Sequence, residues 1–156
     1  HGSLCNKLIR TDLYDRYKIR FFDGINYCED YLTCVQLFIQ GVKIAYIPKA
    51  FYHYDQVLNN NSATRRYTKE TLQTQLRFYG KLCEILNGRQ KKALSHVISV
   101  IAFDSYYNDI FSSAEFSSIF GKYRKDFLKS KFKLKRRVAL YLAALGLMKC
   151  ARKVHK

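Results

Sequence analysis

Apolar positions in the second half of the chain recur at helical spacing. Leu72, Leu76, Tyr79, Leu82 and Ile85-Leu86 mark one face of a long helix, and Asn87-Gly88 supplies its stop. Ala93 to Ile110 predicts a second helix, Ser112 to Ser118 a loop or a weak helix, and Lys122 to Lys156 one or two basic helices. The first half reads differently. Residues 4–10 predict a short strand or strand end, and Thr11-Asp12 a capped helical turn through Tyr17. Ile19 to Phe22 is a short apolar run, closed by the turn signal Asp23-Gly24. Leu32, Val35 and Ile39 share the i, i+3, i+7 face of a helix running from Glu29 to Gln40, with Gly41 as its stop. Val42 to Ile47 predicts a strand, Pro48-Lys49 a turn, and Ala50 to Asp55 a second strand. Asn59 to Ser62 is a loop. The change from mixed pattern to helix alone falls near Thr64 to Tyr67, which divides the chain into 1–66 and 67–156.

Composition adds two constraints. The chain has 156 residues, 48% of them apolar, which suits one modest domain or a half-domain with an appendage. It opens at His1 without a start-like segment, which reads as a fragment lacking its N-terminal part; a tag scar ending in Gly2-Ser3 is the alternative. The five cysteines, Cys5, Cys28, Cys34, Cys83 and Cys150, show no zinc-ligand spacing and read as free thiols of a reducing cytoplasm.

Charge is concentrated at one end. Of the net +16, Lys122 to Lys156 carries +12, thirteen Lys and Arg against the single acid Asp126. Within it, Val138 to Met148 is an uncharged and mostly apolar run, shorter than the ~20 residues a spanning helix needs. A short apolar run with basic flanks suits a helix in the headgroup region of an anionic membrane. Packing as ordinary core is the competing reading. No helix-turn-helix signature, zinc pattern or RNA-reading aromatic motif points to nucleic acid.

The candidate chemistry lies in Gly24-Ile25-Asn26-Tyr27-Cys28-Glu29-Asp30-Tyr31-Leu32. Adjacent carboxylates in a first helical turn are favoured in their ionised form by the helix dipole and can accept a proton or face a cation. Solvated helix-start carboxylates are the structural alternative. Asn6-Lys7-Leu8 lies upstream, and Tyr46-Ile47-Pro48-Lys49-Ala50-Phe51-Tyr52-His53-Tyr54 downstream.

In this order the "NKL", "ED" and "YHY" landmarks resemble the second half of a bacterial family 2 glycosyltransferase catalytic domain. The resemblance covers residues 1–66 well and the rest loosely. It implies an α/β fold, the acceptor-side half of a GT-A (Rossmann-like) domain, followed by an all-helical C-terminal region. The implied reaction is inverting transfer of a sugar from a nucleotide-sugar donor to a hydroxyl of a glycan or lipid-linked glycan, as in polysaccharide biosynthesis. Asp30 would be the base and Glu29 its neighbour at the acceptor. His53 would ligate a divalent Mn²⁺ or Mg²⁺, whose other ligands precede His1. Asn6, Lys7, Ser62, Thr64 and Arg65 would contact donor phosphates or substrate, although position 5 is Cys where relatives often carry Trp. The implied location is cytoplasmic, peripheral at the inner face of the plasma membrane, and the fragment alone is expected to be inactive. The competing class is a non-enzymatic basic helical module that binds anionic membrane or nucleic acid.

Overall fold

The computed structural model describes residues 2–52 and 67–155. It divides into two compact units, 1–66 and 67–156.

In the first unit, α1 (Asp12–Arg16) and α2 (Glu29–Phe38) are the regular elements among the described residues. Thr11 precedes α1 but its side chain caps nothing. Asp12 instead takes Arg10 at 2.9 Å and Arg16 at 3.3 Å, pairs too exposed to add much stability. Cys28 enters α2 in the left-handed conformation, φ +64°, so the chain turns sharply and sets Glu29 and Asp30 in the first turn. The buried face of α2 is Leu32, Thr33, Cys34, Gln36 and Leu37, joined in the core by Ile19 and Ile25. That face is rotated from the Leu32–Val35–Ile39 stripe, because Ile39 is exposed at the helix end.

The α/β expectation is overturned. No strand occurs among the described residues: 4–10, 42–47 and 50–52 have no ladder partner. A Rossmann-like half needs parallel strands flanked by helices, and each strand needs a neighbour for its N–H and C=O groups. Here a side chain plays the neighbour. Gln36 Oε1 accepts the Arg20 N–H at 3.1 Å, and Gln36 Nε2 donates to the Arg20 carbonyl at 2.9 Å. The apolar run Ile19–Phe22 is thus held to α2 by two ladder-like bonds with no second strand. The Val42–Ile47 segment buries no stripe of side chains: Ile44, Tyr46 and Ile47 are all exposed. The GT-A architecture and the fold assignment built on it do not describe this chain.

The second unit is a helical bundle. Its elements are α3 (Lys69–Leu86), α4 (Lys91–Tyr107), α5 (Ser113–Phe120), a 3-10 turn (Gly121–Tyr123), α6 (Arg124–Lys129), α7 (Leu134–Ala144) and α8 (Met148–His155). Of the two readings of 112–118, a loop or a weak helix, the helix is the one found, as α5. Capping boxes open α3 and α5: Thr68 accepts the Thr71 N–H, and Ser112 accepts the Glu115 N–H. Asn87, in the left-handed region at φ +44°, closes α3, as Asn tolerates.

The basic tail is three helices rather than one or two. The apolar run 138–148 is not one helix either, because α7 ends at Ala144 and Gly146, at φ +81°, reverses the chain into α8. Ala139, Leu140, Ala143, Ala144, Met148 and Ala151 from this hairpin are buried. The carbonyls left open at the end of α7 are met by hydroxyls of α5: Ser117 Oγ donates to Ala144 at 2.9 Å and Ser113 Oγ to Gly146 at 2.6 Å. Phe116, Phe120 and Phe127 are fully buried at the centre, with ring centroids 4.7 and 6.5 Å apart in sequence. Among the described residues no helix is long and apolar enough to cross a membrane.

Candidate functional site

The first unit brings two distant segments together. The Leu4 N–H donates to Asp30 Oδ2 at 3.0 Å, across 26 residues of sequence. Ser3 to Lys7 forms a turn, closed by Lys7 N–H to the Leu4 carbonyl at 3.0 Å. Lys7 Nζ donates to the Ser3 carbonyl at 2.5 Å and to Asn6 Oδ1 at 2.8 Å. Lys7 and Asn6 therefore stitch their own turn. Cys34, one helical turn beyond Asp30, donates its thiol to the Gly2 carbonyl at 3.4 Å. Burial pushes that thiol's pKa up, Asp30 adds to the shift, and Lys7 opposes it. The result is a small polar cluster at the N-terminus of α2 in which Asp30 is fixed through one carboxylate oxygen.

Asp30, Glu29, Asn6 and Lys7 thus fall in one neighbourhood, of which Asp30 and the Ser3–Lys7 turn are in direct contact. Glu29 and Asp30 are half-buried and Asn6 is exposed. A half-buried carboxylate anchored by a backbone amide can accept a proton from a hydroxyl at its second oxygen. His53, Ser62, Thr64 and Arg65 lie outside the described residues. Among the described residues no group of three His, Cys, Asp or Glu could hold a metal ion.

The second unit has features that residue spacing did not reveal. Tyr67 Oη donates to Gln75 Oε1 at 2.7 Å and shares a hydrogen bond with Ser105 Oγ at 2.8 Å. Beside them burial raises the Asp104 pKa, against a hydrogen bond from Gln75. A groove of about 640 Å³ between α3 and the α5–turn segment is lined by Tyr79, Cys83, Ser118, Lys122 and Tyr123 among others. The Tyr79 and Tyr123 rings meet edge to face at 5.7 Å. Burial and the neighbouring Cys83 push the Tyr79 phenol's pKa well up, so it is a neutral donor. Around the α6–α7 connection three buried polar atoms lack a partner: His96 Nδ1, Ser130 Oγ and Arg137 Nε. The only advance signal there was the density of basic residues.

By fold and site, the described residues define an all-helical protein with an anchored carboxylate in one unit and a strongly basic helical bundle in the other. No family model, curated protein or solved structure matches the chain. The resemblance to family 2 glycosyltransferases is corrected on both counts: no family model matches, and no strand occurs among the described residues.

Proposed function

We propose that the first unit carries the acceptor-activating part of a site that transfers a sugar from a nucleotide sugar to a hydroxyl of a glycan or lipid-linked glycan. Asp30 is the base. The observation that supports this is the anchoring of Asp30 by the Leu4 amide at 3.0 Å, which fixes one oxygen and leaves the other to a ligand. The acceptor hydroxyl gives its proton to that oxygen and attacks the anomeric carbon. The bond from that carbon to the diphosphate breaks, and the nucleoside diphosphate leaves with the bonding pair. A divalent metal, when bound, would stabilise the charge of the diphosphate leaving group, with His53 as the ligand that the sequence reading offers.

The test is transfer from a panel of nucleotide sugars with Mn²⁺ present, using the protein at its natural full length, wild type against Asp30→Asn. Transfer that collapses in the variant while donor binding persists supports the reading. Equal transfer in both removes Asp30 from the mechanism, and no transfer from any donor removes the reaction.

A second reading, a basic module that binds anionic partners, is favoured by the exposed lysines of the second unit. Lys129, Lys131, Lys133 and Lys135 are exposed and have no ion-pair partner among the described residues. Deleting 122–156 cannot test it, because Phe127, Leu140, Ala143 and Ala151 in that segment are core. Replacing those four lysines by Gln leaves the core intact and is the discriminating change.

A further inference from the structure

We propose that the groove between α3 and the α5–turn segment binds an aromatic carboxylate, its ring system over Gly80 and its anion at Lys122 and Ser118. The proposal is independent of the chemistry assigned to Asp30. The room, a glycine and the charge carry it.

The groove measures about 640 Å³, within the size of small-molecule sites. Leu76 and Ile119 give it apolar walls, and both Tyr79 and Tyr123 line it. Their planes cross at 88°, so the edge of one ring meets the face of the other. A flat aromatic body gains contact beside such a pair by offset or edge-on packing.

Gly80 stands in the interior of α3, where glycine is the poorest residue after proline. Neither usual reason for a glycine applies. Its φ is not in the left-handed region, and a Cβ built there would meet no described atom within 4 Å. No neighbouring element requires position 80 to be small. The space beside it is the groove. A side chain at 80 would enter that space, so the glycine keeps room for an occupant.

Among the described residues that line the groove, Lys122 is the one cation and none is an acid. The Lys122 ammonium lies 5.0 Å over the Tyr123 ring and makes no ion pair among the described residues. An exposed cation–π contact is weak, and a carboxylate displaces it. Ser118 stands four residues earlier on the same wall with an exposed side chain. One ammonium and one hydroxyl match the two oxygens of a carboxylate. The adjoining groove, about 410 Å³, shares Ser118 and Ile119, but its cation Lys69 is already paired with Glu115 at 2.6 Å. The anion therefore belongs at Lys122. Asp126 acts on the Tyr79 phenol but does not line the groove, and its Oδ1 accepts the Ser95 hydroxyl at 2.7 Å.

The test uses the 156-residue protein labelled with ¹⁵N and titrated with 2-naphthoate. A parallel titration uses 2-naphthalenemethanol, which has the same rings without the charge. 2-Naphthoate should shift the amides of Gly80, Cys83, Ser118 and Lys122 saturably. It should bind about tenfold more tightly than the alcohol, as expected for a hydrogen bond to a charged group. Lys122→Gln should remove that preference and leave binding of the alcohol unchanged. Gly80→Leu should abolish binding of both while its helical circular dichroism is kept. Gly80→Ala should raise the melting temperature and weaken 2-naphthoate, because the helix gains a better residue and the groove loses room. If Gly80→Leu loses its helical signal, Gly80→Ala and Lys122→Gln decide. No saturable shift with 2-naphthoate, or shifts spread evenly over the basic helices, overturns the site. Equal affinity for acid and alcohol, or unchanged acid affinity in Lys122→Gln, overturns the role of the anion. Unchanged binding in the Gly80 variants, or a lower melting temperature in Gly80→Ala, overturns the role of the glycine and the proposal with it.

Discussion

Replacing Asp30 separates a catalytic carboxylate from a structural one, because the structural role ranks the Asn and Ala variants and the catalytic role makes them alike. Asp30 accepts one backbone N–H, from Leu4, at 3.0 Å. Asparagine keeps an oxygen at that point, so Asp30→Asn exchanges a charge-assisted bond for a neutral one, a loss of about 1 kcal/mol. The missing charge in the first turn of α2 adds ~0.5 kcal/mol from the helix dipole. Asp30→Ala leaves the partly buried Leu4 amide without an acceptor and should cost about 2 to 3 kcal/mol. Amide hydrogen exchange at Leu4 reads this directly: protection should fall modestly in Asp30→Asn and much further in Asp30→Ala.

Catalysis should not follow that order. Neither variant can take a proton from the acceptor hydroxyl, and a positioned base is worth ~10²–10⁴ in rate. Both should therefore lose transfer to a similar, large extent, with donor binding retained in Asp30→Asn. If Asp30 only holds the Ser3–Lys7 turn in place, activity should track Leu4 protection instead. Transfer by Asp30→Asn within a few-fold of wild type, together with a severe loss in Asp30→Ala, would refute the assignment of Asp30 as base.

Other consequences concern the second unit. Phe120 is fully buried between Phe116 and Phe127, so Phe120→Ala should destabilise the unit by about 3–5 kcal/mol in urea unfolding followed at 222 nm, while Leu128→Ala, at an exposed site, should cost under ~1 kcal/mol. Equal midpoints for the two would contradict the packing. Ser112→Ala removes the α5 cap and should cost ~1 kcal/mol by the same assay. Glu115 is held at a pKa of about 2 by the Lys69 ammonium and the Ser112 donors, below the ordinary 4.5. Its contribution is present above pH 4.5 and is lost as pH falls toward 2, so Glu115→Gln should flatten the acid limb of a stability–pH profile. An unchanged acid limb would count against the Lys69–Glu115–Ser112 contacts. Asp104 runs the other way. Burial raises its folded pKa, so protonation favours the folded state, and Asp104→Asn should raise thermal stability at neutral pH. A lower melting temperature would show that its hydrogen bond with Gln75 outweighs the burial.

The helices of the second unit could be read in advance because a helix meets its backbone bonds within itself. The spacing of Leu72, Leu82 and Leu86 and the Asn87-Gly88 stop place α3 without knowledge of its neighbours. A strand is a relation to a partner, and alternation along Val42 to Ile47 says nothing of whether the partner is there. In the described residues a single side chain, Gln36, takes up the Arg20 N–H and C=O, a role that no pattern of apolar residues discloses. The candidate sites divide along the same line. Glu29-Asp30 stands out locally, as two carboxylates at a helix start, while the amide that fixes Asp30 lies 26 residues away and becomes evident only in the fold. Ser130, His96 and Arg137 carry no local signal at all. They come from different segments, and what marks them is burial without a partner. Charge density pointed to the basic tail as a whole. Among the eight cations from Arg124 to Arg137, the fold distinguishes Arg137, whose guanidinium is tied to the Leu128 carbonyl, from Arg136, which lies 4.7 Å over the Phe103 ring, and from the exposed lysines around them. A charge spent on an aromatic face or left in water is a surface property; a buried guanidinium nitrogen with nothing to donate to is a property of the packing, and only the fold discloses it.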